Sequence, residues 1–200
     1  MSTSNPNEPH NRQNFSGSGE TQVREMYVLM QQNNRTLEAM VVYLRNTNMV
    51  LNPNGPPGVQ NESIIKIVKK LRDENIKVTD KWGAYMSLRG GAMQFTDLTK
   101  PTPDYHDLDT ILDEIMQIYR AQLQRLNNNV YPTANLDEDG HLAHFAMINM
   151  LYNQKKLYQI VKAMQIQENT GTSALGNFIV SNSLDFEDQE VDIFDFSNVM

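Results

Sequence analysis

The sequence predicts an all-α protein: a single helical body with a disordered N-terminal arm and an acidic, flexible C-terminal arm. Three observations lead there. Apolar residues recur at three- and four-residue spacing through most of residues 21–168, clusters of Pro, Gly and Asn punctuate those runs, and the N-terminal end is poor in apolar residues while the C-terminal end interleaves them with acids and lacks helical spacing. At 200 residues the chain amounts to one domain and is long enough to bury a sizeable core. The expected division is an arm over 1–20, a helical core domain over 21–168 and an arm over 169–200.

Residues 1–19 are mostly Ser, Asn, Pro, Gly and Gln, a composition that cannot offset the entropy of ordering. Thr21 is the predicted cap of a first helix running to about Asn46. Val23, Met26, Met30, Leu37, Met40 and Leu44 share its inner face, and Asn33 interrupts the seam. The run Asn52-Pro53-Asn54-Gly55-Pro56-Pro57-Gly58 ends it. Asn61 then caps Glu62–Asn75, which sets Ile64, Ile65, Val68 and Leu71 against Lys66, Lys69, Lys70 and Arg72. After a short turn, Thr79 is expected to cap a second short helix carrying Trp82, Tyr85, Met86 and Leu88, with Gly90-Gly91 as its stop. Such a pair has the outline of a helix-turn-helix, though a plain basic helical hairpin is the commoner arrangement.

Residues 92–106 read as a Pro-rich connection. Asp107 or Asp109 caps a helix to about Leu126 whose inner face is Leu108, Ile111, Leu112, Ile115, Tyr119, Leu123 and Leu126; Asn127-Asn128-Asn129 and Pro132 are expected to break it. The longest helical pattern is Asn135 to Lys162, with Leu142, Phe145, Ala146, Met150, Leu157, Ile160, Val161 and Met164 on one side and Asn149 as its polar member. Asn169 to Ala174 ends it. From Asn177 the chain alternates acidic and aromatic residues up to Asp192-Ile193-Phe194-Asp195-Phe196, the composition of a docking peptide or a solubilising tail.

The formal charge of −7 is unevenly spread, since residues 169–200 alone carry −6 and residues 21–100 carry +4. A strongly basic nucleic-acid binder is thereby excluded, while a basic stripe on a near-neutral body is allowed. The absence of cysteine removes disulfides and thiolate chemistry and suits a reducing compartment. No run approaches the roughly 20 apolar residues of a membrane helix, so the expectation is a soluble intracellular protein with no membrane contact.

Few residues point to chemistry. His141 and His144 lie one turn apart after Asp137 and Asp139, but no third ligand is within sequence reach, so no metal is expected. Asp137-Glu138-Asp139-Gly140 resembles the start of a calcium loop, but Ile148 falls where that loop needs a bidentate Glu. His106 among Asp104, Asp107 and Asp109 has no nucleophile motif beside it, and there is no phosphate-cradling glycine loop. The chain does not read as an enzyme, and no cofactor is expected.

Several segments, in order, resemble the coat proteins of flexuous filamentous plant viruses of the potyvirus type. Asn135-Leu136 followed by Leu142-Ala143-His144-Phe145-Ala146-Met147-Ile148-Asn149 is similar to that family's Leu-Ala-Arg-Tyr-Ala-Phe-Asp-Phe helix. Thr110 to Arg120 is similar to its Thr-Phe-Arg-Gln-Ile-Met-x-x-Phe-Ser segment, and Trp82, Gly90 and Lys100-Pro101 keep the family order. The resemblance covers roughly residues 80–165. It implies a coat or nucleocapsid subunit that polymerises head to tail into a helical filament around single-stranded RNA, located in the virion and the host cytoplasm. The family's RNA-associated Ser, Arg and Asp fall on Arg120, His144 and Ile148, so the carboxylate is missing here. The resemblance therefore implies Arg120 and His144 as RNA contacts, and charge adds Lys66, Lys69, Lys70 and Arg89. Two alternatives stand beside it. One is a phage- or virus-type replication or transcription adaptor that docks a partner such as a sliding clamp through Asp192, Ile193, Phe194, Asp195 and Phe196, a tail similar to the clamp-binding peptide of T4-type phage DNA polymerases. The other is a helical scaffold without nucleic acid.

Overall fold

A computed structural model describes residues 15–46, 59–92, 97–101, 105 and 108–170. Among the described residues the protein is all-α. Its elements are α1 (Gly17–Asn46), α2 (Val59–Leu88), α3 (Leu108–Arg125), a π-helical turn (Leu126–Val130), α4 (Tyr131–Leu136) and α5 (Gly140–Thr170).

α1 begins earlier than the sequence suggests, and residues 15–20 belong to the body. The cap is Ser16, whose hydroxyl accepts from the Gly19 N–H at 2.8 Å, while Thr21 lies inside the helix and donates to the Gly17 carbonyl. Phe15, just before the cap, is buried against Tyr85 with ring centroids 6.3 Å apart. From there α1 buries Val23, Met26, Met30, Leu37, Met40 and Leu44, the face that its spacing predicts.

α2 is one helix of 30 residues, so the expected turn between Asn75 and Thr79 does not exist. Asn and Thr favour turns when their side chains compete for nearby backbone, but here those side chains are occupied elsewhere. The Thr79 hydroxyl donates to the Asn75 carbonyl at 2.7 Å and accepts from Asn34 Nδ2 at 3.0 Å. Asn75 donates to Asn34 Oδ1 at 2.6 Å and accepts from Gln122 Nε2 at 2.9 Å. α2 stops where expected. Gly90 takes a φ of 73°, and the Gly91 and Gly90 amides donate back to Met86 and Ser87 in a Schellman closure.

The Asn127–Asn129 run does not end α3 either. The chain widens into a π-helical turn, with the Tyr131 N–H donating to the Leu126 carbonyl, and continues as α4. Pro132 has no N–H to donate and sits in the first turn of α4, where none is required. Leu126, Val130 and Ala134 stay on the buried side. The true break comes at Asp137–Asp139, inside the stretch that reads as the longest helix. Glu138 adopts a φ of 53°, and Asp139 caps α5 by accepting from the Leu142 N–H at 3.0 Å. α5 then buries Leu142, Phe145, Ala146, Asn149, Asn153, Lys156 and Ile160, whereas Met150 is half-buried and Val161 is exposed.

α1 packs antiparallel on α2 and α3 packs antiparallel on α5, with α1 also against α3. This order requires the chain to travel the length of the body between α2 and α3. Side chains of α1 hold that connection: Arg24 donates to the Ala92 carbonyl, Gln32 to Thr99, Arg35 to Leu98, and the Tyr43 hydroxyl to Tyr105. Such a crossover is a known way to build a four-helix body.

The core is two apolar clusters with an amide layer between them. One gathers Leu37, Met40, Leu44, Val68, Ile111, Ile115, Tyr119 and Ile160. The other gathers Val23, Met26, Met30, Trp82, Met86, Leu126, Leu142 and Phe145. Between them lie Asn33, Asn34, Asn75, Thr79, Gln122, Asn149 and Asn153. Trp82 Nε1 donates to Asn149 Oδ1 at 3.1 Å, which ties α2 to α5 across the same level.

Removing one member of this layer strands its neighbours without water. Asn75→Ala is expected to lower stability by about 1–3 kcal/mol, the cost of leaving buried amide groups unpaired, read as a lower urea midpoint with an unchanged m-value. The buried tyrosines give a second test. Burial pushes the Tyr85 and Tyr105 hydroxyls up to about 12 and raises Tyr119 and Tyr152 as well. Unfolded tyrosine ionises near 10, so the unfolded chain sheds protons first and stability falls as pH rises from about 10 towards about 12. The expected result is a urea midpoint that declines over that window, with tyrosinate absorbance rising with unfolding.

Candidate nucleic-acid interface

Because α2 is continuous, its lysines keep one register. Lys66, Lys70, Lys77 and Lys81 stand at i, i+4, i+11 and i+15, a row within an arc of about 60° on a helix of 3.6 residues per turn. Glu74 lies in the same row and pairs with Lys156 of α5, so this edge of α2 is turned towards α5. Tyr85 continues the contact, its ring stacked on Phe145 with centroids 4.3 Å apart. Lys66 and Lys77 are exposed, and Lys70 and Lys81 are half-buried.

α5 runs antiparallel beside this row and contributes a second one. His144, Lys155 and Lys162 are at i, i+11 and i+18, within about 20° of one another, and all three are exposed. They flank the residues that meet α2, namely Phe145 and Lys156. Buried Lys156 joins the two rows. Burial depresses its ammonium below the ordinary lysine value; Glu74 opposes that shift, and the positive charges of Lys70 and Lys155 add to it. The ammonium also lies over the Tyr152 ring, 5.5 Å from its centroid. The result is a basic seam along the junction of α2 and α5, in a chain whose net charge is negative.

The sequence-derived candidates fall in different places. Lys66, Lys70 and His144 belong to the seam, and Lys69 sits one residue off the lysine row. Arg120 is exposed on α3, outside the seam, and no contact joins it to His144 among the described residues. Arg89 is only 7% exposed and is not a surface cation. Its guanidinium makes a two-point pair with Asp139 at 2.8 and 3.1 Å, donates to the Tyr85 hydroxyl at 2.7 Å and stacks over Phe15. It is spent inside the fold and is corrected from an RNA contact to a structural residue. Asp137 is likewise engaged: it accepts from Ser16 and Ser18, and these bonds hold its carboxyl below the ordinary aspartate range. Asp192, Ile193, Phe194, Asp195 and Phe196 lie outside the described residues.

Lys77, Lys81, Lys155 and Lys162 were missed by the sequence reading. The signal was present in the i, i+4, i+11, i+15 spacing, but an assumed joint at residues 76–79 erased it. No helix of the described residues is long and apolar enough to cross a membrane. No protein-family model matches the chain, and a search of the curated proteins finds no match either.

The Arg89–Asp139 pair ties the end of α2 to the start of α5 and covers Phe15. Arg89→Leu leaves a buried carboxylate unpaired and is expected to cost about 3–5 kcal/mol. In a double-mutant cycle with Asp139→Leu, the double variant should be more stable than the sum of the single losses predicts, as measured by urea denaturation.

Proposed function

We propose that this protein is a non-enzymatic coat or nucleocapsid subunit that assembles into a helical filament and holds single-stranded RNA by its backbone. The observation that carries the reading is the basic seam, built from the row Lys66, Lys70, Lys77 and Lys81 of α2 and the row His144, Lys155 and Lys162 of α5. Lysine ammonium groups are point charges on flexible stems, suited to phosphates presented in many geometries and poor at reading base edges. A packaging protein needs this kind of sequence-tolerant contact. Tyr158, 68% exposed beside Lys155 and Lys162, adds an aromatic face on which a base can stack.

The overall charge shapes the mechanism. A subunit with a net charge of −7 binds RNA weakly by itself. Affinity then comes from repetition, because head-to-tail contacts line up the seams of successive subunits and each phosphate contact adds to the next. The virion and the host cytoplasm are where such a subunit would act. The resemblance of residues 80–165 to the potyvirus-type coat proteins supports the coat-subunit reading and His144 as a contact, whereas the seam takes the place of Arg120.

The test joins electron microscopy to salt-dependent binding. Purified protein with RNA is expected to form nuclease-sensitive flexible rods or rings; a monomer that ignores RNA at low salt would overturn the proposal. Replacing Lys66, Lys70 and Lys77 together by Gln should reduce the slope of log K against log salt by about 2, from about 0.7 per phosphate contact on single strands. Arg120→Ala, outside the seam, should leave it nearly unchanged.

A further inference from the structure

The outer face of α5 carries an apolar stripe that the body does not cover. Met147, Leu151, Tyr158 and Val161 recur at helical spacing, and Leu151 and Tyr158 are 59% and 68% exposed. Lys155 and Lys162 stand along one edge of the stripe. Large apolar residues sharing the exposed face of a helix, here with Gln154 between Leu151 and Tyr158, mark a contact site, and flanking cations select an occupant that is both apolar and acidic.

The chain itself carries such a segment. Residues 184–196 hold Leu184-Asp185-Phe186-Glu187 and Val191-Asp192-Ile193-Phe194-Asp195-Phe196, in which apolar and acidic residues nearly alternate and no cation occurs. The reach is sufficient. From Thr170, where α5 ends, back to Leu151 is about 29 Å along the helix at about 1.5 Å per residue. The 14 residues from Thr170 to Leu184 span up to about 46 Å when extended.

We propose that residues 184–196 of the same chain dock on the α5 stripe, with their phenylalanines on Leu151 and Tyr158 and their carboxylates beside Lys155 and Lys162. The segment then occupies the α5 side of the basic seam as a mimic of RNA, its acids standing for phosphates and its rings for bases. Its role as a competitor rests on the RNA reading above; its docking does not. RNA would displace the segment from Lys155 and Lys162 as the subunit enters a filament. Each displaced segment would also become free to reach a neighbouring subunit.

The chain has no cysteine, so Ser197→Cys in the full-length protein gives a single attachment point for a spin label. Paramagnetic broadening of backbone amides is then read along α5. The expected result is broadening concentrated on residues 147–162, lost at 1 M salt, where the screening length falls to about 3 Å, and lost in Leu151→Ser/Tyr158→Ser, whose changes are confined to exposed positions. Broadening that is absent, that is spread evenly over the body, or that survives those substitutions overturns the proposal. So does broadening seen only between labelled and unlabelled copies, which assigns the stripe to a second subunit. Adding oligouridylate separates the two ideas. Loss of the broadening supports both docking and competition, whereas persistence at saturating RNA overturns the competition and leaves the docking in place.

Discussion

The fold depends on one layer of buried amides. Asn75 stands at its centre, donating to Asn34, accepting from Gln122 and receiving Thr79 back along its own helix. An apolar core tolerates small sliding of one helix past another, because oily contacts are not directional. A buried amide does not, since a shift of one residue would leave donors and acceptors unpaired at a cost comparable to a large share of the protein's stability. Setting Asn34, Asn75 and Thr79, Gln122, and Asn149 at one level therefore pins the register of all four long helices. The apolar clusters above and below that level supply most of the cohesion, and the layer supplies the alignment, the role buried polar residues serve in coiled coils.

That alignment is what makes a site. With α2 and α5 in register, Glu74 meets Lys156, Tyr85 stacks on Phe145, and the lysine edge of α2 comes to lie beside the His144, Lys155 and Lys162 row. Arg89 and Asp139 hold the far end of the same junction, and Phe15 with Ser16 and Ser18 ties the start of α1 to it. The charged residues thus divide by burial. The buried cations Arg89 and Lys156 hold the helices together, while the more exposed ones on the rim give the surface its field.

How much of this was legible in the sequence varies from residue to residue. The inner faces of α1 and α3 were, because apolar spacing states which side of a helix is buried, and so was the stop at Gly90-Gly91, which needs only local conformation. The joint at Asn127–Asn129 was misread because the chain widens into a π-helical turn there instead of stopping, and the joint at Asn75–Thr79 because those side chains are engaged by other helices. An Asn or Thr that will be hydrogen-bonded by another helix looks the same in sequence as one that turns the chain. That misreading also hid the lysine row, since a register is lost once a helix is cut in two. Arg89 was misassigned because its partner lies 50 residues away in the chain.

By itself, then, the sequence determined the helical class, the faces that seek a core, the Pro-rich connection over residues 92–106, and the concentration of acid in the last 32 residues. Those are local properties, set by spacing and composition. Only the tertiary structure decided which polar residues are interior, where the helices really begin and end, and that lysines on two helices form one surface. The physical reason is that a hydrogen bond or an ion pair needs a second residue at about 3 Å, and no pattern along one strand of sequence states where that second residue will be.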